Sequence, residues 1–162
     1  RTHQTAGAIA EAGHPVSDPL VEEDLGEQCF GDWQGMSYAE VAADRAGEDH
    51  PFWIAPAHYA VPNGESFATV MARVSDTVLR LSAHHAGRDI IAVAHGGTIR
   101  AALGQALGIE PDQALSFTVD NLSITRIDCF HGAGGRMDWC VIGVNLPPSK
   151  SAPHGVVFPP RR

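Results

Sequence analysis

Apolar residues recur along this chain with two periods, one helical and one strand-like, and their alternation lays out the elements. Thr2 to Ala12 is helical, with Ala6, Ile9 and Ala10 on one side, until Gly13 and Pro15 stop it. Leu20 to Glu27 reads as a short extended segment, and Phe30 and Trp33 pack down the irregular loop from Gln28 to Gly35. Ser37 and Glu40 form a capping box for a further helix with apolar positions at Tyr38, Val41 and Ala42. His50 to Pro62 carries three prolines and the aromatics Phe52, Trp53 and Tyr59; it reads as an ordered loop or lid rather than a linker.

A long amphipathic helix runs from about Glu65 to His84, burying Phe67, Val70, Met71, Val74, Val78 and Leu81. Gly87 ends it. The apolar run Ile90 to Ala94 has strand length and ends in His95-Gly96-Gly97. A helix follows, with Leu103 and Leu107 four and eight residues after Ile99 and Ala102 and Ala106 on the same face. Gly108 and Pro111 punctuate it. Leu122 to Cys129 alternates as a strand, the turn His131 to Gly135 follows, and Met137 to Val144 completes a β-hairpin. Residues 1–146 form one domain, and 147–162 form an extended proline-rich tail. Helices and strands alternating in this order predict an α/β layered domain.

The junction at His95 carries the chemistry. A side chain leaving a strand beside a helix N-terminus stands where α/β sheets bind ligands and where free N–H groups attract anions. Gly96 and Gly97 let backbone approach whatever is bound. His95 is therefore aimed at an anion such as phosphate, or else it is a histidine that serves only packing at a strand end.

Charge and composition narrow the choice. The net charge of −8 and the lack of any basic stripe exclude a nucleic-acid partner. No apolar run approaches the ~20 residues of a membrane span, and no signal peptide is visible. Three cysteines, Cys29, Cys129 and Cys140, form no metal-ligand spacing and read as reduced thiols of a cytoplasmic protein. The nine histidines are scattered, with only His84 and His85 adjacent, so no metal site is expected.

Five segments then resemble, in order, the motifs of the histidine phosphatase superfamily, the phosphoglycerate mutase-like enzymes. They are Arg1-Thr2-His3-Gln4-Thr5-Ala6, Glu27 with Phe30-Gly31-Asp32-Trp33-Gln34-Gly35, Pro62-Asn63-Gly64-Glu65-Ser66, Ala94-His95-Gly96-Gly97, and Asp120-Asn121-Leu122-Ser123-Ile124-Thr125. The resemblance implies a three-layer α/β/α sandwich with a mostly parallel central sheet and a C-terminal β-hairpin. The family's nucleophilic Arg-His-Gly segment does not occur in residues 1–162. The resemblance places that segment on a central strand upstream of Arg1, several tens of residues away, so this chain alone is expected to be inactive.

The implied activity is phosphomonoester hydrolysis through a phosphohistidine, with no cofactor and no metal. Arg1 would hold two phosphoryl oxygens, His95 would donate to a third, and Glu27 would protonate the leaving oxygen and then take a proton from water. Gly96, Gly97 and Trp53 would line the substrate. Glu65, Arg73 and Arg100 are expected to be structural, through helix-start hydrogen bonds and surface pairing. The stretch Met36 to Asn63 is short, and Arg45 is its only arginine or lysine, which favours small phosphatases over mutases. The expected partner is a small phosphate ester, one resembling α-ribazole phosphate among them. Mutase activity, an inactive anion-binding pseudophosphatase and a homodimer stay open.

Overall fold

The helix predicted most strongly by periodicity is the one on which the others are built. In the computed structural model, which describes residues 1–13, 19–45, 47, 50–51 and 53–148, α3 spans Phe67–His84. Ser66 caps it by accepting the Thr69 N–H at 3.1 Å. Phe67, Val70, Val74 and Thr77 face inward, with Met71 and Val78 packed alongside.

Helix α4, Gly96–Leu107, packs on α3 and begins directly at the double glycine, with His95 as its N-cap. Its buried face is Gly97, Thr98, Ala101, Leu103 and Gly104; of the expected face, Leu103 is buried and Ala102 packs on the core, whereas Ile99 is only half-buried and Leu107 is exposed. Leu107 is 46% exposed. Gly104 lets the Met71 side chain of α3 come against the helix backbone, and Ala101 and Leu103 are fully buried beside it. Gly108 ends α4 in the left-handed conformation, and α5, Pro111–Ala114, follows with Pro111 in its first turn.

The stretch after His50 is a wall of the core. Ala57 is fully buried; its N–H donates to Asp112 Oδ1 at 2.8 Å, and its carbonyl accepts from Ala68 N. Trp33, buried in a 3-10 turn at Gly31–Trp33, stacks on Tyr59 at 5.6 Å and donates through Nε1 to Asp44 Oδ2 at 2.7 Å. The capping box of Ser37 and Glu40 opens α2, Tyr38–Asp44, where Val41 is buried and Tyr38 faces solvent. Leu20 to Glu27, expected to be extended, contains a 3-10 turn at Glu23–Leu25, and Leu20 and Val21 are exposed. Helix α1, Thr2–Glu11, buries no residue. Pro15, Phe52 and the tail beyond residue 148 lie outside the described residues.

Strands β1, Ile124–His131, and β2, Met137–Leu146, pair antiparallel around the turn after His131. Leu122, expected inside the strand, stands before it at φ 64°, because Ser123 N bonds Asp120 O and turns the chain there. Among the described residues this two-stranded sheet is the sheet. Among the described residues the expected strand over Ile90 to Ala94 joins no ladder, and the mostly parallel central sheet of a three-layer sandwich is not seen. Among the described residues no strand lies beside that segment to pair its N–H and C=O groups, and Ile90 and Ile91 are 46% and 79% exposed. A mixed α/β arrangement remains. Among the described residues no helix is long and apolar enough to cross a membrane.

Candidate active site

Two helices converge on the backbone that carries Glu27. From the first turn of α4, the buried Thr98 hydroxyl donates to Leu25 O at 3.1 Å and Gly26 O at 2.9 Å. From α3, Arg73 donates to the carbonyls of Asp24, Gly26 and Glu27. Arg73 is held in turn by Glu65, at 2.8 and 3.1 Å, and Glu65 also accepts the Cys29 N–H at 2.9 Å. These two side chains are 21% and 18% exposed, so they form an inner clamp rather than surface pairing. Burial by itself would push the Glu65 carboxyl up; the Arg73 hydrogen bond, the Cys29 N–H and the Arg73 charge together hold it below the ordinary carboxylate range.

The loop ahead of this clamp is locked to the start of α3. Asp32 N bonds Pro62 O, Glu65 N bonds Cys29 O, and Asn63 Nδ2 donates to both carboxylate oxygens of Asp32 at 3.0 Å. A Cβ on Gly31, at φ 46°, would run into Pro62 O and Gly64 N, so this crossing of two loops requires glycine.

So held, the Glu27 carboxylate lies against the N-terminus of α4. Its Oε2 is 3.9 Å from His95 Nδ1, too long for a direct hydrogen bond and short enough that both groups face one space. Its Oε1 lies 2.5 Å from where a Cβ on Gly97 would sit. The His95 side chain makes no capping bond, which leaves the ring available. A carboxyl and an imidazole in this relation, beside free helix N–H groups, can hold an anion and pass protons to it.

Arg1 is exposed at the start of α1. Its carbonyl accepts from Thr5, and among the described residues no hydrogen bond or ion pair joins its side chain to Glu27 or His95. Trp53 stands edge-on to Phe67 at 6.4 Å, and the Arg100 guanidinium lies over its ring at 4.6 Å. Arg100, expected to pair at the surface, instead turns back over the start of α4. Its Nε donates to Phe117 O at 2.7 Å, and one terminal nitrogen comes within 3.1 Å of the Cβ position of Gly96. Burial lowers its pKa, and the charge of Glu27 opposes that shift. Nothing in the sequence announced this contact, because Trp53 and Phe117 lie far from Arg100 along the chain.

Among the described residues no group of three or more His, Cys, Asp or Glu is placed to hold a metal ion. A family model described as the histidine phosphatase superfamily (branch 1) matches residues 1–140. A bifunctional protein of Mycobacterium tuberculosis is 36% identical over 107 residues, 66% of this chain and 29% of its own length. Phosphoserine phosphatase 1 of Hydrogenobacter thermophilus is 31% identical over 128 residues, 78% of this chain and 59% of its own. The solved structure of a mycobacterial glucosyl-3-phosphoglycerate phosphatase superposes with a TM-score of 0.73 at 26% identity, covering 91% of this chain and 73% of that one. The chain thus spans under a third of the length of the first of these curated relatives and somewhat less than two thirds of the second.

Proposed function

The chain belongs to the histidine phosphatase superfamily (branch 1), and on that premise we propose that the natural protein hydrolyses small phosphate monoesters through a phosphohistidine. A histidine ring nitrogen outside residues 1–162 attacks phosphorus as the bond to the leaving oxygen breaks, and Glu27 gives that oxygen its proton. Water then attacks the phosphohistidine, its proton passes to Glu27, and the P–N bond breaks. His95 and the N–H groups opening α4 stabilise the charge on the equatorial oxygens, with Arg1 contributing once α1 is brought over the site. Trp53 lines the side where the leaving group departs. The nucleophile's strand would also pair with Ile90 to Ala94 and complete a parallel sheet.

The observation that carries this reading is the Glu27–His95 pair, 3.9 Å apart at the start of α4 and braced from two helices. The relatives' names, a phosphoserine phosphatase and a glucosyl-3-phosphoglycerate phosphatase, support a small phosphate ester as the substrate class. The short segment between the two loop motifs supports hydrolysis over mutase activity. Its only guanidinium, Arg45, donates to Ile54 O at 2.7 Å.

His95→Ala in the natural protein is expected to slow hydrolysis of p-nitrophenyl phosphate by ~10²–10³-fold, the usual loss for one preorganised charge donor. Rapid quenching under alkaline, denaturing conditions, which spare the acid-labile P–N bond, should recover a phosphohistidine from the unsubstituted protein. Absence of that intermediate during turnover, or undiminished rates in the variant, would overturn the proposal.

A further inference from the structure

The peptide between Glu27 and Gln28 is anchored twice on Glu65, just ahead of α3. Its carbonyl accepts from Arg73 Nη2 at 3.2 Å, and Arg73 is itself held by the Glu65 carboxylate. Its N–H, which belongs to Gln28, donates to Glu27 Oε1 at 3.1 Å. A planar trans peptide points its N–H away from its carbonyl, so fixing one side aims the other. A single bond to the carbonyl still lets the plane turn about it. The second anchor is the Gln28 side chain, whose Nε2 donates to Glu65 O at 2.9 Å.

Gln28 is 6% exposed and lines a closed space with Phe30, Trp33, Trp53 and Phe67. Its partner is a carbonyl, so the amide nitrogen faces Glu65, and Oε1 has no partner among the described residues. An apolar side chain of the same length would fill that place without burying an unmatched acceptor. The amide is explained by its nitrogen end, through the one bond it makes.

The two oxygens of Glu27 therefore differ. Oε1 accepts the Gln28 N–H and lies beside Gly97. Oε2 has no hydrogen bond among the described residues and faces His95 Nδ1 at 3.9 Å. A proton on Oε1 weakens the acceptor that the N–H uses, whereas a proton on Oε2 disturbs no existing bond.

Resting on the hydrolase reading above, we infer that Gln28 is a positioning residue for the proton donor: its buried amide, tied to Glu65 O, holds the main-chain N–H that engages Oε1 of Glu27 and leaves Oε2 to carry the proton. In the first step the Oε2–H bond breaks as the leaving oxygen gains its proton. In the second, a proton from the attacking water returns to Oε2.

The test compares kcat/KM for an alkyl and a p-nitrophenyl phosphate in the natural protein, because kcat/KM reports the step in which the leaving oxygen departs. Gln28→Met removes the amide and keeps the length of the side chain. The alkyl ester should lose ~10–100-fold, as for a proton donor that is present but misplaced, and the p-nitrophenyl ester far less. In a Glu27→Gln background, Gln28→Met should add no further loss selective for the alkyl ester, since the group it positions is already gone. Both readouts are ratios of two esters within one preparation, so a smaller folded fraction cancels. Equal losses on the two esters in Gln28→Met, or a selective loss that persists in the Glu27→Gln background, would overturn the inference. If Glu27→Gln itself shows no selectivity, the hydrolase reading fails and takes the inference with it. If Glu27→Gln is selective and Gln28→Met is not, the inference fails alone.

Discussion

Gly97 shows how a signal can be legible while its meaning is not. The sequence marks the Gly-Gly turn as a place where backbone approaches a ligand. In the structure the space that a Cβ would fill at Gly97 is taken by the Glu27 carboxylate, 2.5 Å away. That oxygen ends a flexible side chain, so an added methyl would move it rather than break the fold. Gly97→Ala is accordingly expected to change stability by no more than about 1 kcal/mol in a urea titration. Turnover of alkyl phosphates should fall by roughly tenfold, the scale of a displaced proton donor. A large stability loss with normal turnover would show that Gly97 serves helix packing alone. Arg100 is the opposite case. Its spacing from His95 is visible, but the aromatic ring beneath it and the carbonyl that fixes it become neighbours only through folding.

At the scale of elements, periodicity located α3, α4 and the hairpin, since each is long enough for its pattern to repeat. It placed Leu103 of α4 inside correctly but also Leu107, which is exposed, and it missed Gly104, against which Met71 of α3 packs. It also placed Leu122 in a strand that begins after the Asp120 turn. The clamp between α3 and the Glu27 segment was legible as residues but not as a device, because its strength comes from carbonyls that carry no sequence signal. Arg73→Met removes donors from three carbonyls and takes the cation from Glu65, leaving it only the Cys29 N–H, at a cost of about 2–4 kcal/mol in denaturant unfolding. Glu65 adds a pH dependence. Its folded pKa is depressed, so its contribution is complete above the unfolded value of about 4.3 and is lost as pH falls through the folded value. Stability should decline below about pH 4, and Glu65→Gln should flatten part of that decline. An acid limb unchanged by Glu65→Gln would mean that the clamp does not depend on the carboxylate's charge.

For the whole molecule, the order of five short motifs made the family legible, and the match over residues 1–140 agrees with it. The sheet was not legible in the same way. A strand needs a partner, and the apolar run at Ile90 and Ile91 shows a capacity to pair without showing what pairs with it. The site is likewise a product of the assembled fold: α3, α4 and the loop after Leu25 each contribute one constraint, and together they place Glu27 opposite His95. The central claim is that Glu27, so placed, is the proton donor. It is tested most directly by hydrolysis of two esters by the natural protein and its Glu27→Gln variant, one with an alkyl and one with a p-nitrophenyl leaving group. A proton donor is needed only when the leaving oxygen is strongly basic, so the alkyl ester should lose ~10²–10⁴-fold and the p-nitrophenyl ester far less. Equal losses on the two esters would contradict the account.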